Sequence, residues 1–282
     1  MTPNRTPARL DALCFGANEP LGLARFWAKA LSWDVDAGGD QISLVPTDDT
    51  TFRIRFLPVT HTKAGQNRIH LDLTTTSLDD QAESVRRLVA LGARHIDIGQ
   101  GPDETHVVLA DPEGNELCII APDNSFLAGC GRLGAINCDG TRAVGYFWSA
   151  ALGWPLVWDQ DEETAIRAPD GTGPLITWSG PPLLPKTGRN RLHLDIAPHD
   201  PGGLQAEVDR LVALGATRLD RGRGDVDRVS MADPDDNEFR VVSPRSPVFR
   251  SRQAGRVSRT WRRLRPRDRS GHEEPPRGGE RP

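Results

Sequence analysis

The sequence predicts an α+β fold built from two tandem copies of one unit, each copy made of two β-α-β-β-β halves. Three observations carry that prediction. The run Asn67-Arg68-Ile69-His70-Leu71-Asp72-Leu73 returns as Asn190-Arg191-Leu192-His193-Leu194-Asp195-Ile196. Each run is followed by an amphipathic segment holding Leu-Val-Ala-Leu-Gly-Ala, at 88–93 and again at 211–216. Each copy then reaches Asp111-Pro112-Glu113-Gly114-Asn115-Glu116 or Asp233-Pro234-Asp235-Asp236-Asn237-Glu238. The period is roughly 120 residues, the size of an ordinary domain.

The elements follow in order. Leu10 to Gly16 is a short, mostly apolar run and reads as a strand. Asn18 and Pro20 open a helix, in which Leu23, Phe26, Trp27, Ala30 and Leu31 recur at helical spacing. Residues 41–45 and 52–57 read as strands, with Pro46-Thr47-Asp48-Asp49 as the turn between them. In the strand Ile69–Leu73 the alternation puts His70 and Asp72 on the face opposite Ile69, Leu71 and Leu73. A helix runs from Ser77, a capping residue, to Gly92, a C-terminal stop. Strands at 95–98, 105–109 and 116–120 close the unit, with the Asp111–Gly114 turn between the last two. The second copy repeats this order. It has strands near 133–138, 164–168, 174–178, 191–196, 217–220, 228–232 and 238–242, with helices at 141–152 and 203–215.

Composition bounds the rest. At 37% hydrophobic and 26% charged, the chain has the balance of a soluble globular protein. The net charge of −4 hides an asymmetry: residues 245–282 hold 12 Arg against 4 acids, so an acidic body carries a basic tail. Beyond Pro247 apolar periodicity ends and Arg, Pro, Gly and Ser dominate, which predicts a disordered tail over 247–282, solvated rather than bound to nucleic acid. The four cysteines, 14, 118, 130 and 138, form no disulfide framework. No signal-peptide core and no membrane-length apolar run is present, so the expected location is cytoplasmic.

The set Ala24-Arg25-Phe26-Trp27 with Leu31-Ser32-Trp33, Ile69-His70-Leu71-Asp72-Leu73 and Ala110-Asp111-Pro112-Glu113-Gly114-Asn115-Glu116-Leu117 resembles a glyoxalase-like domain. That domain belongs to the vicinal oxygen chelate superfamily, which also holds extradiol dioxygenases and the fosfomycin and bleomycin resistance proteins. The resemblance covers residues 9–122 and 131–244, the two expected domains, with Pro122 to Gly131 as linker. It implies a U-shaped, mostly antiparallel sheet for each domain, with helices on the outer face, and two domains that pack on each other. It also implies metal ligands from the first strand of each half and from the last strand.

Carried over, the middle ligand falls on His70 and His193 and the last on Glu116 and Glu238. The first-strand position falls near Asp11 in the first copy and near Arg132 in the second. Asp11, His70 and Glu116 would suit a divalent cation such as Zn, Ni, Mn or Fe(II). His193 and Glu238 form a poorer set, because the Arg132 guanidinium has no lone pair to offer and would instead pair with Glu238. Asp72 and Asp195 are candidate acceptors for the His rings, and Cys118 shares the strand face of Glu116. Trp158 and Trp178 are candidates to line the second cleft. The resemblance thus implies a small-molecule enzyme in which Glu116 shuttles a proton. The residues leave lyase, isomerase and dioxygenase chemistry open. The alternatives are a metal-free pair of histidines hydrogen-bonded to Glu116 and Glu238, and a non-catalytic protein that sequesters a small molecule.

Overall fold

The computed structural model describes residues 6–39, 41–101, 103–200, 203–220 and 227–244. The tail expected over 247–282 lies outside them. The first half comprises β1 (Arg9–Ala17), α1 (Pro20–Leu31), β2 (Asp34–Asp36), β3 (Ile42–Val45) and β4 (Arg53–Pro58). The second comprises β5 (Ile69–Leu73), α2 (Leu78–Ala90), β6 (Arg94–His95), β7 (Val107–Ala110) and β8 (Glu116–Ile119). The third holds β9 (Leu133–Cys138), α3 (Arg142–Leu152), β10 (Leu156–Gln160), β11 (Glu163–Ile166) and β12 (Leu175–Trp178). The fourth holds β13 (Leu192–Ala197), α4 (Leu204–Ala213), β14 (Thr217–Arg218), β15 (Arg228–Ala232) and β16 (Glu238–Val242). Four β-α-β-β-β halves stand where the repeat places them. β2 and β10 are additions to the expected strands, and each lies at the edge of its sheet.

Local chemistry sets the helix bounds. Pro20 occupies the first turn of α1, where its missing N–H costs nothing, and Ser32 ends the helix in the left-handed region. The Ser77 hydroxyl caps α2 by accepting from the Asp80 N–H at 3.1 Å. α3 ends at Gly153, whose φ of 67° suits glycine.

The strands form two eight-stranded sheets, ordered β14-β15-β16-β13-β1-β4-β3-β2 and β10-β11-β12-β9-β5-β8-β7-β6. The first joins the outer two halves of the chain and the second the inner two, so we call them the outer and inner sheets. Each sheet therefore takes one half from each repeat. β1 pairs antiparallel with β13, and β5 with β9. Within each half one pair is parallel, as in β1–β4 and β5–β8. Such a pair needs a crossover, which the half's helix supplies.

Tryptophans tie the halves of a repeat together. Trp27 of α1, fully buried, donates its indole N–H to Asp111 at 3.0 Å, across from the outer sheet's half to the inner sheet's. Trp148 of α3 does the same to Asp233, also at 3.0 Å. Each aspartate also accepts two backbone N–H groups of its own turn: Glu113 and Asn115, or Asp235 and Asn237. The Asp-Pro-x-x-Asn motif is thus a turn anchored on a buried indole. Gly114 takes φ 89° in the first copy and Asp236 φ 64° in the second.

Arginines of the repeated Asn-Arg run span the two sheets. Arg191, just before β13, pairs with Glu113 in the inner sheet's turn and donates to Asn18. Arg68, just before β5, pairs with Asp139 and donates to the Asp235 carbonyl at 2.8 Å.

Candidate functional site

Each sheet has one face packed on helices, which buries Leu71 and Leu73, or Leu194 and Ile196. The alternation of β5 and β13 turns His70, Asp72, His193 and Asp195 to the other face. On the inner sheet the register lines up Trp158, Ala165, Thr177, Asn137 and His70 across five strands. One step along lie Leu175, Ala135, Asp72 and Cys118. The His70, Asp72 and Cys118 ligand atoms lie within 4.8 Å of one another, and His70 Nε2 stands 3.3 Å from Asp72 Oδ1. Burial disfavours a charged His70, but the Asp72 carboxylate outweighs it and holds the imidazole well above its usual range. Burial pushes the Cys118 thiol up, and the neighbouring His70 pulls against it.

Glu116 sits on the same face of β8 as Cys118. Its carboxylate accepts from Lys63 Nζ at 2.5 Å and from the Asn67 N–H at 3.3 Å. The far end of the face is apolar. Leu127, Ala135, Ala165 and Leu175 cluster there, with Phe126 edge-on to Trp158 at 5.4 Å. Trp158 Nε1 and Thr177 Oγ1 are buried with no hydrogen-bond partner among the described residues.

The outer sheet repeats the His-x-Asp pair in different company. Cys14 pairs in register with His193 and Ala12 with Asp195, while Arg240 lies beside Asp195 on β16. Cys14, His193 and Asp195 again fall within 4.8 Å. Here Arg55, opposite Cys14 on β4, donates to Asp195 at 3.3 Å and to Asp11 at 2.6 Å. Two arginines thus hold the places of Thr177 and Cys118. Burial lowers the pKa of His193, with Arg240 adding to the effect, so its ring is neutral near pH 7.

The expected site residues divide between the sheets. His70 and Glu116 share the inner sheet, but Glu116 is engaged by Lys63. Asp11 belongs to the outer sheet, ion-paired with Arg9 at 2.7 Å and Arg55 at 2.6 Å. His193 and Glu238 also lie there, with Glu238 held by Lys186 at 3.1 Å. Arg132 does not pair with Glu238. It donates to the Thr74 carbonyl at 2.6 Å and to the Ser84 hydroxyl at 3.0 Å. The residues that meet His70 are Asp72 and Cys118, each two positions along a strand from an expected ligand. Strand alternation alone marks them as co-facial. Trp158 lies in the row with His70, whereas Trp178 is buried.

Paired β-α-β-β-β halves in two tandem copies define a glyoxalase-like fold. The chain belongs to the glyoxalase-like domain family, which matches residues 12–120 and 135–242. Among solved structures it is similar to glyoxalase I from Zea mays, at 14% identity and a TM-score of 0.60, over 84% of this chain and 92% of that one. It is also similar to a suspected dioxygenase from Bacillus subtilis subsp. subtilis str. 168, at 14% identity and a TM-score of 0.51, over 86% and 87%. At these identities the likeness is one of fold. No curated protein compared with the chain matches it in sequence. Among the described residues no helix is long and apolar enough to cross a membrane.

Proposed function

We propose that the protein is a small-molecule enzyme of the glyoxalase type whose chemistry occurs at the inner sheet with a divalent metal. The observation that carries this reading is the convergence of His70, Asp72 and Cys118. An imidazole, a carboxylate and a thiol form a mixed donor set that suits Zn or Fe(II) better than Mg. The outer set has the same donor types, but Arg55 occupies Asp195 and Arg240 adds a second positive charge. A cation is repelled there.

His70, Asp72 and Cys118 would hold a divalent cation at the inner site, where it would supply Lewis acidity to the substrate. The chain's own groups do the rest. Glu116, on the face of Cys118, moves the proton, and Lys63 fixes its carboxylate at 2.5 Å. Trp158 Nε1 and Thr177 Oγ1, unpartnered in the row of His70, orient a polar substrate. The Phe126–Trp158 pair walls off its apolar end.

The test is metal content by mass spectrometry on untagged protein, with turnover screened on vicinal dicarbonyl and catechol substrates. Near-stoichiometric metal is expected in the wild type and in His193→Ala, and its loss in His70→Ala and Cys118→Ala. Glu116→Gln is expected to keep the metal and lose about a hundredfold in rate. A protein that stays metal-free after reconstitution with Zn, Ni, Mn and Fe(II) sinks the reading. A metal-free protein that responds to organic ligands only by thermal shift favours sequestration instead.

A further inference from the structure

The outer sheet carries a cavity of about 300 Å³ at the Arg191–His193 end of β13. Its wall holds four arginines, Arg240 among them, against one carboxylate, Glu238. That carboxylate is paired with Lys186 at 3.1 Å. Asn190 Nδ2 and Arg191 Nε, both on lining residues, are buried with no hydrogen-bond partner among the described residues. Unused donors of this kind cost stability unless something accepts from them. Leu57 and Val59 make the wall apolar on the β4 side. The cavity therefore offers hydrogen-bond donors and positive charge at one side and hydrocarbon at another.

We propose that this cavity is a second, metal-independent site that binds a small organic monocarboxylate, with Arg240 and Asn190 on the carboxylate and Leu57 and Val59 against the apolar body. A planar guanidinium and an amide N–H₂ match the two oxygens of a carboxylate. A cation meets the arginines. A phosphate monoester carries a second charge and a third oxygen, beyond what one guanidinium and one amide N–H₂ match. One negative charge with an apolar tail satisfies both walls. The site lies on the opposite sheet from His70, so it stands whether or not the inner site holds metal.

The experiment is isothermal titration of the full chain with benzoate, its neutral counterpart benzamide and its dianionic counterpart phenyl phosphate. Benzoate is expected to bind, with benzamide and phenyl phosphate each at least about tenfold weaker. Arg240→Gln should weaken benzoate by about tenfold or more, and Arg240→Lys should recover part of the loss. Asn190→Ala provides a second variant, expected to weaken benzoate severalfold, should Arg240→Gln fail to fold. His70→Ala should bind benzoate as the wild type does. Absence of benzoate binding, equal binding of benzoate and benzamide, or wild-type affinity in the folded variants overturns the proposal. Tighter binding of phenyl phosphate overturns the monocarboxylate class.

Discussion

Two histidines in nearly the same sequence setting have their pKa values shifted in opposite directions, because each His-x-Asp pair meets different residues from other strands. His70 and His193 each precede an aspartate by two positions. Asp72 raises the first, aided by Cys118, while burial and Arg240 lower the second. The His-x-Asp pair is legible in the sequence, since alternation puts both side chains on one face. The third member arrives from another strand, β8 for Cys118 and β1 for Cys14; alternation marks Cys118 as the co-facial neighbour of Glu116, whereas nothing in the sequence brings Cys14 to His193. At this scale Asp233 gives a sharp test. Burial raises its carboxyl from 3.8 to about 6, with Trp148 pulling the other way. A carboxyl raised on folding contributes stability below 3.8 that is lost as pH rises through about 6. Trp148→Phe removes the indole donor and is expected to raise the carboxyl further. Denaturation should then show a loss of about 1–3 kcal/mol near neutral pH and a smaller one near pH 4. Equal losses at both would place the effect in packing alone.

Elements were readable where an apolar pattern marks them. The stripes of α1 and α2 and the alternation of β4 and β5 fix both type and face. β2 escapes that reading because Asp34, Val35 and Asp36 are all exposed. β10, another edge strand, is only partly covered along its length. Edge strands owe their place to backbone pairing with a neighbour, which leaves little trace in side-chain pattern. Close approach between elements is equally hidden. Gly145 of α3 lies so near β11 that an added Cβ would stand 1.9 Å from the Thr164 hydroxyl and 2.6 Å from its Cβ. Helix propensity alone would favour Gly145→Ala by about 1 kcal/mol. The crowding predicts the reverse, a destabilisation of about 1–3 kcal/mol in chemical denaturation. A gain in stability would mean that α3 can lift from β11 at no cost.

At the scale of the whole molecule, the repeat in sequence is not the unit of hydrogen bonding. The family match follows the repeat, at 12–120 and 135–242, whereas β1 finds β13 and β5 finds β9. Nothing in the residues of a strand names its partner when four halves share one pattern, so this pairing was beyond sequence reading. It predicts how a cut chain behaves. Cleavage at a protease site introduced at Gly129, in the connection between the repeats, leaves both sheets spanning the two fragments. They should co-elute in gel filtration and separate only in denaturant. Fragments that part under native conditions would contradict the exchange of halves.

The nesting of one sheet inside the other also sets an order of assembly during synthesis. The inner sheet has all its strands once Trp178 has left the ribosome, while the outer sheet waits for Val242. Until then β1 presents an unpaired edge of nine residues, the longest strand among the described residues and one buried at nearly every position when folded. Nascent chains that stall between those two points carry a complete His70–Asp72–Cys118 cluster beside an open, adhesive edge. The cavity on the outer sheet cannot form until β16 has been made.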